Sequence, residues 1–354
     1  MTQNVLDATV KIGTGDSATL APTDVFDLQI ESDLDHPDMA AVTLTNQTKN
    51  WSETVNLGDP FEISAGFAEQ GGAQAAVIFK GEVSGIEPIF VPGGGTRVVI
   101  RGLNLLHKLY RGKVSLSYTN VTDKDIANKI AGKHGLSLEY DGPSGPKYDH
   151  VYQHNQNDLE FLRMRAARIG CEVLVDDKKL YFRKRSTSDS GVAFDLAKPG
   201  KEILESFMPR LSTANQVSKV KVRGWDPKKK EAILGEATPQ SSALGDKHGT
   251  QVTEGTHKNV EHYMVDIPVQ TKEEADNIAK AILDERLMSF ITADGIAKGS
   301  PNLKPGIVAT FNVGCKRFSG KYYIVAVRHR YRHEGPDRGF RTHFKCRRDA
   351  MSNS

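Results

Sequence analysis

Through the first hundred residues, apolar side chains recur at every second position in short runs. Residues 25–32 (VFDLQIES) and 61–67 (FEISAGF) alternate, residues 39–45 are short and rich in β-formers, and runs at 76–86 and 97–102 follow. A period of two puts one face of each run into a core, and Gly and Pro turns separate the runs. Residues 1–105 are therefore expected to form a β-barrel or sandwich.

The period changes after residue 105. Thr122, with Asp125 three positions on, predicts a capped helix whose face is Ile126, Ala127 and Ile130 and whose stop is Gly135. A polar strand at 151–154 leads to Asn157, a second cap, with Glu160 placed to reach back to its N–H. Leu159, Leu162, Ala166 and Ile169 then recur at helical spacing, with Arg163, Arg165 and Arg168 directed elsewhere and Gly170 as the left-handed stop. A hairpin follows, 171–175 and 180–185 around a turn at 176–179. Residues 106–202 thus read as a small α+β domain built on a strand–helix–hairpin unit.

From residue 203 the alternation returns, clearest at 216–224. Residues 228–260 are polar and weakly periodic, an extended hairpin and loop. Thr271-x-x-Glu274 opens a helix over 272–289 with Ala275, Ile278, Ala279, Ile282 and Leu283 on one face, and strands at 307–312, 322–332 and 339–347 close the chain. The predicted fold is mainly β with an α+β middle domain: residues 1–105, 106–202 and 203–354.

Composition narrows the function classes. With 354 residues, 38% hydrophobic and 26% charged, the chain is that of a soluble multidomain protein. A net charge of +3 is too small to imply a nucleic-acid or membrane partner. No apolar run reaches the about 18 residues of a membrane helix, and MTQNVLDATVKIG lacks the regions of a signal peptide. Cys171, Cys315 and Cys346 are widely spaced and in no CxxC, the pattern of reduced, buried thiols in a protein made in the cytoplasm.

Candidate chemistry is sparse. His329 and His333 are four apart, but on a strand that separation is about 13 Å, too far for one metal ion, so both are assigned solvated or interface roles. Asp33, Asp35 and Asp38 in SDLDHPD lack the glycine and closing Glu of a calcium loop and read as a turn. The Gly93–Gly95 run has neither the Lys-Ser/Thr nor the helix of a phosphate loop and reads as a hairpin tip. Between 328 and 348 eight Lys/Arg face two acids, the pattern of a solvated strand face, with a subunit or nucleic-acid contact as the sharper alternative. The expected sets of catalytic, cofactor and metal residues are all empty, and the chain reads as a non-enzyme.

A weak internal repeat is visible. Residues 56–60 (NLGDP) precede a strand, then Phe79-x-Gly81 opens a hairpin whose return strand carries Arg97. Residues 302–306 (NLKPG) precede another, then Phe318-x-Gly320 opens a hairpin whose return strand carries Arg341. Either these are two versions of one barrel, or turn chemistry has reused Gly and Pro.

The run DLEFLRMRAARIGCEV (158–173), preceded by Gln153 and Asn155, resembles the core of phage late control protein D and the hub segments of VgrG proteins of type VI secretion and related contractile systems. GEVSGIEP, RVVIRGLNLLHKL, VKVRGWDPKKKEAI, LKPGIVATFNVG, FSGKYYIVAVRHRY and GFRTHFKCRR extend the resemblance in the same order. It implies two tube-type β-barrels flanking the middle domain, in a homotrimeric baseplate hub that adapts a hexameric tail tube to a trimeric spike. The implied partners are tail tube protein, baseplate wedge proteins and a spike; with no β-repeat in these residues, the spike is expected to be a separate polypeptide. No membrane insertion, cofactor or specific nucleic-acid binding is expected; the protein would be made in the bacterial cytoplasm and built into a phage tail or injection particle. The rival readings are a cell-wall-degrading or other enzyme on a β scaffold, and a virion carbohydrate-binding protein.

Overall fold

The computed structural model describes residues 6–352, apart from 15–18, 21, 47–49, 68–75, 91, 93–95, 144, 198–202, 228, 254–259 and 333–338. The fold is mainly β, with a large curled sheet as its frame.

The first β set holds β1 (Leu6–Ile12), β2 (Val25–Asp33), β3 (Met39–Thr45), a one-turn helix α1 (Trp51–Thr54), β4 (Pro60–Phe67), β5 (Ala76–Ile89) and β6 (Arg97–Leu103). Their spatial order is β1-β4-β5-β6-β3-β2, all antiparallel. The expected alternation is what closes the core: Leu28, Ile30, Val42, Leu44, Ile63, Val98 and Ile100 are all fully buried. The hairpin tip expected at Gly93–Gly95 lies outside the described residues.

A short helix, α2 (His107–Tyr110), leads into the middle unit. This comprises β7 (Val114–Val121), α3 (Asp123–Lys133), β8 (Ser137–Asp141), β9 (Tyr148–Gln156), α4 (Asp158–Arg168), β10 (Cys171–Asp176) and β11 (Lys179–Lys184). Both helices begin at the anticipated caps. Thr122 and Asp125 form a reciprocal capping box, as do Asn157 and Glu160, whose backbone N–H groups donate across at 3.2 Å and 2.8 Å. Gly170 follows α4 at φ +65°, a conformation that costs other side chains and ends the helix. The α4 stripe Leu159, Leu162 and Ala166 packs with Ile126 and Ile130 of α3 and with Val173, Leu180 and Phe182 of the hairpin.

The second β set is β12 (Asp189–Asp195), β13 (Ile203–Leu211) and, after an insertion, β18 (Ile291–Lys298), β19 (Val308–Asn312), β20 (Gly320–Arg332) and β21 (Gly339–Arg348). The insertion carries β14 (Lys219–Asp226), β15 (Glu231–Ala237), β16 (Lys247–His248), a short helix α5 (Gly249–Thr253), β17 (Glu261–Met264) and α6 (Lys272–Leu287). Strand β16 pairs with β22 (Ala350–Met351). Helix α6 lies on the sheet β15-β14-β17, and Gly235 lets it approach: a Cβ there would sit 2.2 Å from the Ala275 backbone. Several elements were not marked by the periodicity, two of them in the second β set and its insertion. Helix α5 stands where a loop was expected, and β18 (ITADGIAK) carries too few large apolar residues to announce itself.

The two β sets repeat one another strand by strand. The order in the second is β12-β19-β20-β21-β18-β13, the same path through the corresponding strands. Ser84 in β5 and Val325 in β20 are each the extra residue of a bulge against the next strand. Phe26 in β2 and Glu205 in β13 form a second such pair. Gly58 (φ +89°) donates to the Val83 carbonyl and Gly306 (φ +82°) to the Ile324 carbonyl, so Val83 corresponds to Ile324 in this register too. Bulges are costly interruptions of a ladder, and coincidence does not place two of them at matching positions. Arg97 and Arg341 are equivalent in this register, whereas Phe79-x-Gly81 and Phe318-x-Gly320 are two residues out of step. The outermost strand also differs: β1 is antiparallel to β4, β12 parallel to β19. The sets join where β2 pairs with β20, giving a single sheet of 12 strands among the described residues.

Candidate assembly interface

The three arginines of α4, expected to face away from the core, instead hold the middle unit to its surroundings. Arg165 is buried and its Nε donates at 2.6 Å to Asp123 Oδ1, itself 1% exposed, with the guanidinium 4.4 Å over the Tyr148 ring. Arg168 donates at 2.7 Å to both Glu274 of α6 and the Pro268 carbonyl. Arg163 reaches the Leu34 and Asp35 carbonyls at the β2–β3 turn. Helical spacing correctly located the apolar stripe, but a position beside that stripe is solvated or buried according to what lies across from it. Asp123, 42 residues distant from Arg165, carried no signal of this pairing.

The hairpin is tied to the second β set in the same way. Arg183 donates to the Gly306 carbonyl at 2.9 Å, the Tyr323 hydroxyl donates to Glu172, and Arg185 and Arg347 converge on Glu285. The basic run from 328 to 348 is accordingly not one solvated face. Arg348 is fully buried, donating to the Ser319 carbonyl at 2.9 Å, and Arg341 pairs with Glu205 at 3.0 Å. Arg330 and Arg332 flank Asp27 at 3.9 Å and 3.6 Å across the seam between the two β sets.

Of the other candidate residues, Asp33 accepts from the N–H groups of Asp35 and His36, making the acidic stretch the turn that was expected. Burial pushes the Asp38 carboxyl up to about 7, opposed by the hydrogen bonds from Ser32 and Asn104. Cys171 and Cys346 are buried, but Cys315 is exposed, contrary to expectation, and all three are free. Among the described residues no group of three His, Cys, Asp or Glu could hold a metal.

His333 lies outside the described residues; His329 is neither solvated nor at an outer surface. It is 3% exposed on β20, stacked on Phe340, with Nδ1 3.0 Å from Thr342 Oγ1. Burial pushes its pKa down to about 4, so the folded state prefers the neutral ring. That contribution is complete above the unfolded value near 6.5 and is lost as pH falls toward 4. Relative to His329→Asn, the wild-type chain should lose about 2–3 kcal/mol of stability between those limits. Urea denaturation at stepped pH measures this, and the opposing effect of Asp38 cancels in the difference.

Residues 6–333 match the family model described as Alg8 N-terminal domain. The chain belongs to this family. No curated protein matches it. Among solved structures, this Alg8 N-terminal-domain chain is similar to a 43 kDa tail protein of prophage MuSo2 from Shewanella oneidensis (TM-score 0.70, 15% identity, 98% of this chain and 99% of that one). It is similar to a tail protein from Neisseria meningitidis (TM-score 0.71, 13% identity, 98% of each). An Escherichia coli component of the type VI secretion system also aligns (TM-score 0.62, 14% identity, 95% of this chain and 76% of that one). At such identities the likeness is one of fold.

Two surfaces of this Alg8 N-terminal-domain chain stand open. The outer face of β15-β14-β17 exposes Trp225, Leu234 and Tyr263. The large sheet leaves the outer stretch of β5 and the free edge of β13 unpaired among the described residues, with Phe90 76% and Met208 60% exposed beside them. Neither was singled out by the sequence reading, since an exposed apolar residue in an alternating strand looks the same as a buried one. The internal repeat was the available signal.

Proposed function

We infer that the protein is a structural component of a contractile tail or injection particle: a homotrimeric hub that joins the hexameric tail tube to a trimeric spike and is bordered by baseplate wedge proteins. The observation that carries this is the repeated strand order of the two β sets with its two matching pairs of bulges, within a fold shared with tail proteins. A chain that carries the same strand framework twice offers six similar units when three chains form a ring, which meets a six-fold tube on one face and a three-fold spike on the other. Each β set is then one tube-type barrel, and the middle unit is a spacer held to them by the arginine contacts. No helix among the described residues is long and apolar enough to cross a membrane. Native mass spectrometry of the purified chain, alone and with tube protein, is expected to give the mass of three chains. Monomer or dimer under both conditions would overturn the reading.

A further inference from the structure

The pairing that joins the two β sets inside one chain also specifies how two chains meet. Within the chain, β2 lies along the outer stretch of β20, from Asp27 opposite Arg332 to Asp33 opposite Ala326. In the repeat register β2 corresponds to β13, and β20 to β5. Among the described residues strand β13 pairs with β18 alone, and β5 pairs with β4 only as far as Glu82. Both edges of the internal joint thus recur, unjoined among the described residues. We propose that β13 of one chain docks antiparallel along the outer stretch of β5 in a second copy of the chain, placing Phe207 opposite Phe90 and Arg210 opposite Glu87. This rests on the trimeric reading above and deepens it by naming the edges that meet.

Three features support the second copy as the occupant. The first is apolar fit. In the internal joint Tyr331 of β20 packs on the first core beside Leu28. Its equivalent is Phe90, 76% exposed, and the equivalent of Leu28 is Phe207, whose ring stacks on Phe311 in the second core. Docking therefore gives Phe90 the cover that Tyr331 already has. The second is charge. Glu31 stands opposite Arg328 internally, and the transferred register sets Arg210 opposite Glu87, with the signs exchanged and the complementarity kept. Glu87 also holds Arg101 at 2.7 Å, leaving its carboxylate between two cations in the docked state. The third is exposure: residues 87–90 are all exposed, whereas His329 on the equivalent stretch of β20 is buried.

Pro209 falls opposite Pro88 in this register, and their shared lack of an N–H removes the central pair of ladder hydrogen bonds. Side chains therefore carry much of the contact, and an edge proline also deters unrelated strands from adding there. The contact is head-to-tail, so it propagates until a ring closes, and a ring of three chains then contains six like joints, three internal and three between chains.

Disulfide trapping tests the register. Met208 and Ile89 flank the opposed prolines at a non-hydrogen-bonded pair, where Cβ atoms come closest. Within one chain β13 and β5 are separated by six strands of the sheet, on the order of 30 Å along it, and a linked species of two or three chains on the gel reports the contact between chains. In a Cys315→Ser background, Met208→Cys with Ile89→Cys should, on mild oxidation, yield covalently linked chains up to three on a non-reducing gel, and either substitution alone should yield none. Arg210→Glu, which keeps the fold, should raise the concentration at which the trimer half-dissociates at least tenfold, because like charges then face each other in every joint. A native trimer that gives no cross-link, cross-linking that stops at two chains, or an Arg210→Glu trimer as tight as wild type each overturns the proposed edges while the hub reading stands. A chain that stays monomeric with tube protein present and gives no cross-link overturns both.

Discussion

Replacing Arg165 with methionine should destabilise the protein by about 3 kcal/mol, near the lower end of what removing one partner of a buried ion pair costs. The loss is large because Asp123, 1% exposed, would keep a desolvated carboxylate whose remaining side-chain partner among the described residues is the Tyr148 hydroxyl at 3.5 Å. It stays at the lower end because Asp123 lies in the first turn of α3, where the helix dipole favours a negative charge. Adding Asp123→Asn should therefore recover most of the loss, since a neutral pair of similar volume has no uncompensated charge to bury. Denaturant midpoints of the two single variants and the double variant form the cycle that measures this. A double variant no more stable than Arg165→Met would show that the arginine matters through packing on Tyr148 instead.

Phe311→Ala should cost about 3–5 kcal/mol, the range for removing a fully buried aromatic side chain. Phe311 is the centre of the second core: its ring lies 5.0 Å from both Phe194 and Phe207, 5.1 Å from Phe344 and 5.7 Å from Tyr322. Those four residues come from β12, β13, β21 and β20, so the cavity would open where four strands converge and none could collapse into it alone. Phe207 is also the residue on which the proposed docking would place Phe90 of a neighbouring chain. Trimer stability in Phe311→Ala should then fall along with the melting temperature of the chain. A shift below about 1 kcal/mol would mean that the cluster repacks around the gap.

These expectations differ in how far they were legible beforehand. The period-two runs and the two capping boxes are local, and a cap needs only side chains within three residues of it. Thr122, Asn157 and Thr271 therefore announced their helices, and the alternation in β2 and β3 announced its buried face. The DLEFLRMRAARIGCEV run likewise pointed to a tail-protein fold, which the tail-protein likenesses bear out for the architecture. The internal repeat was only hinted at, and its Phe-x-Gly words were misaligned by two residues, because short turn motifs recur for reasons unrelated to ancestry. The fates of the charged residues were hidden altogether. Arg163, Arg165 and Arg168 differ little in sequence context, yet one reaches carbonyls of a distant turn, one is buried on Asp123 and one crosses to α6. His329, assigned a solvated or interface role, is buried on β20.

What the sequence by itself determined is much of what near neighbours along the chain govern: the periods of the clearer strands and helices, caps, stops and the apolar stripes. Tertiary structure alone decided the pairing of β2 with β20, the matching bulges at Ser84 and Val325, and the partners of the buried arginines. Apolar burial is non-directional and follows the period of each element, so it can be read locally. A buried charge or a strand edge is satisfied only by a particular group at a particular place, and the fold brings that group from far along the chain.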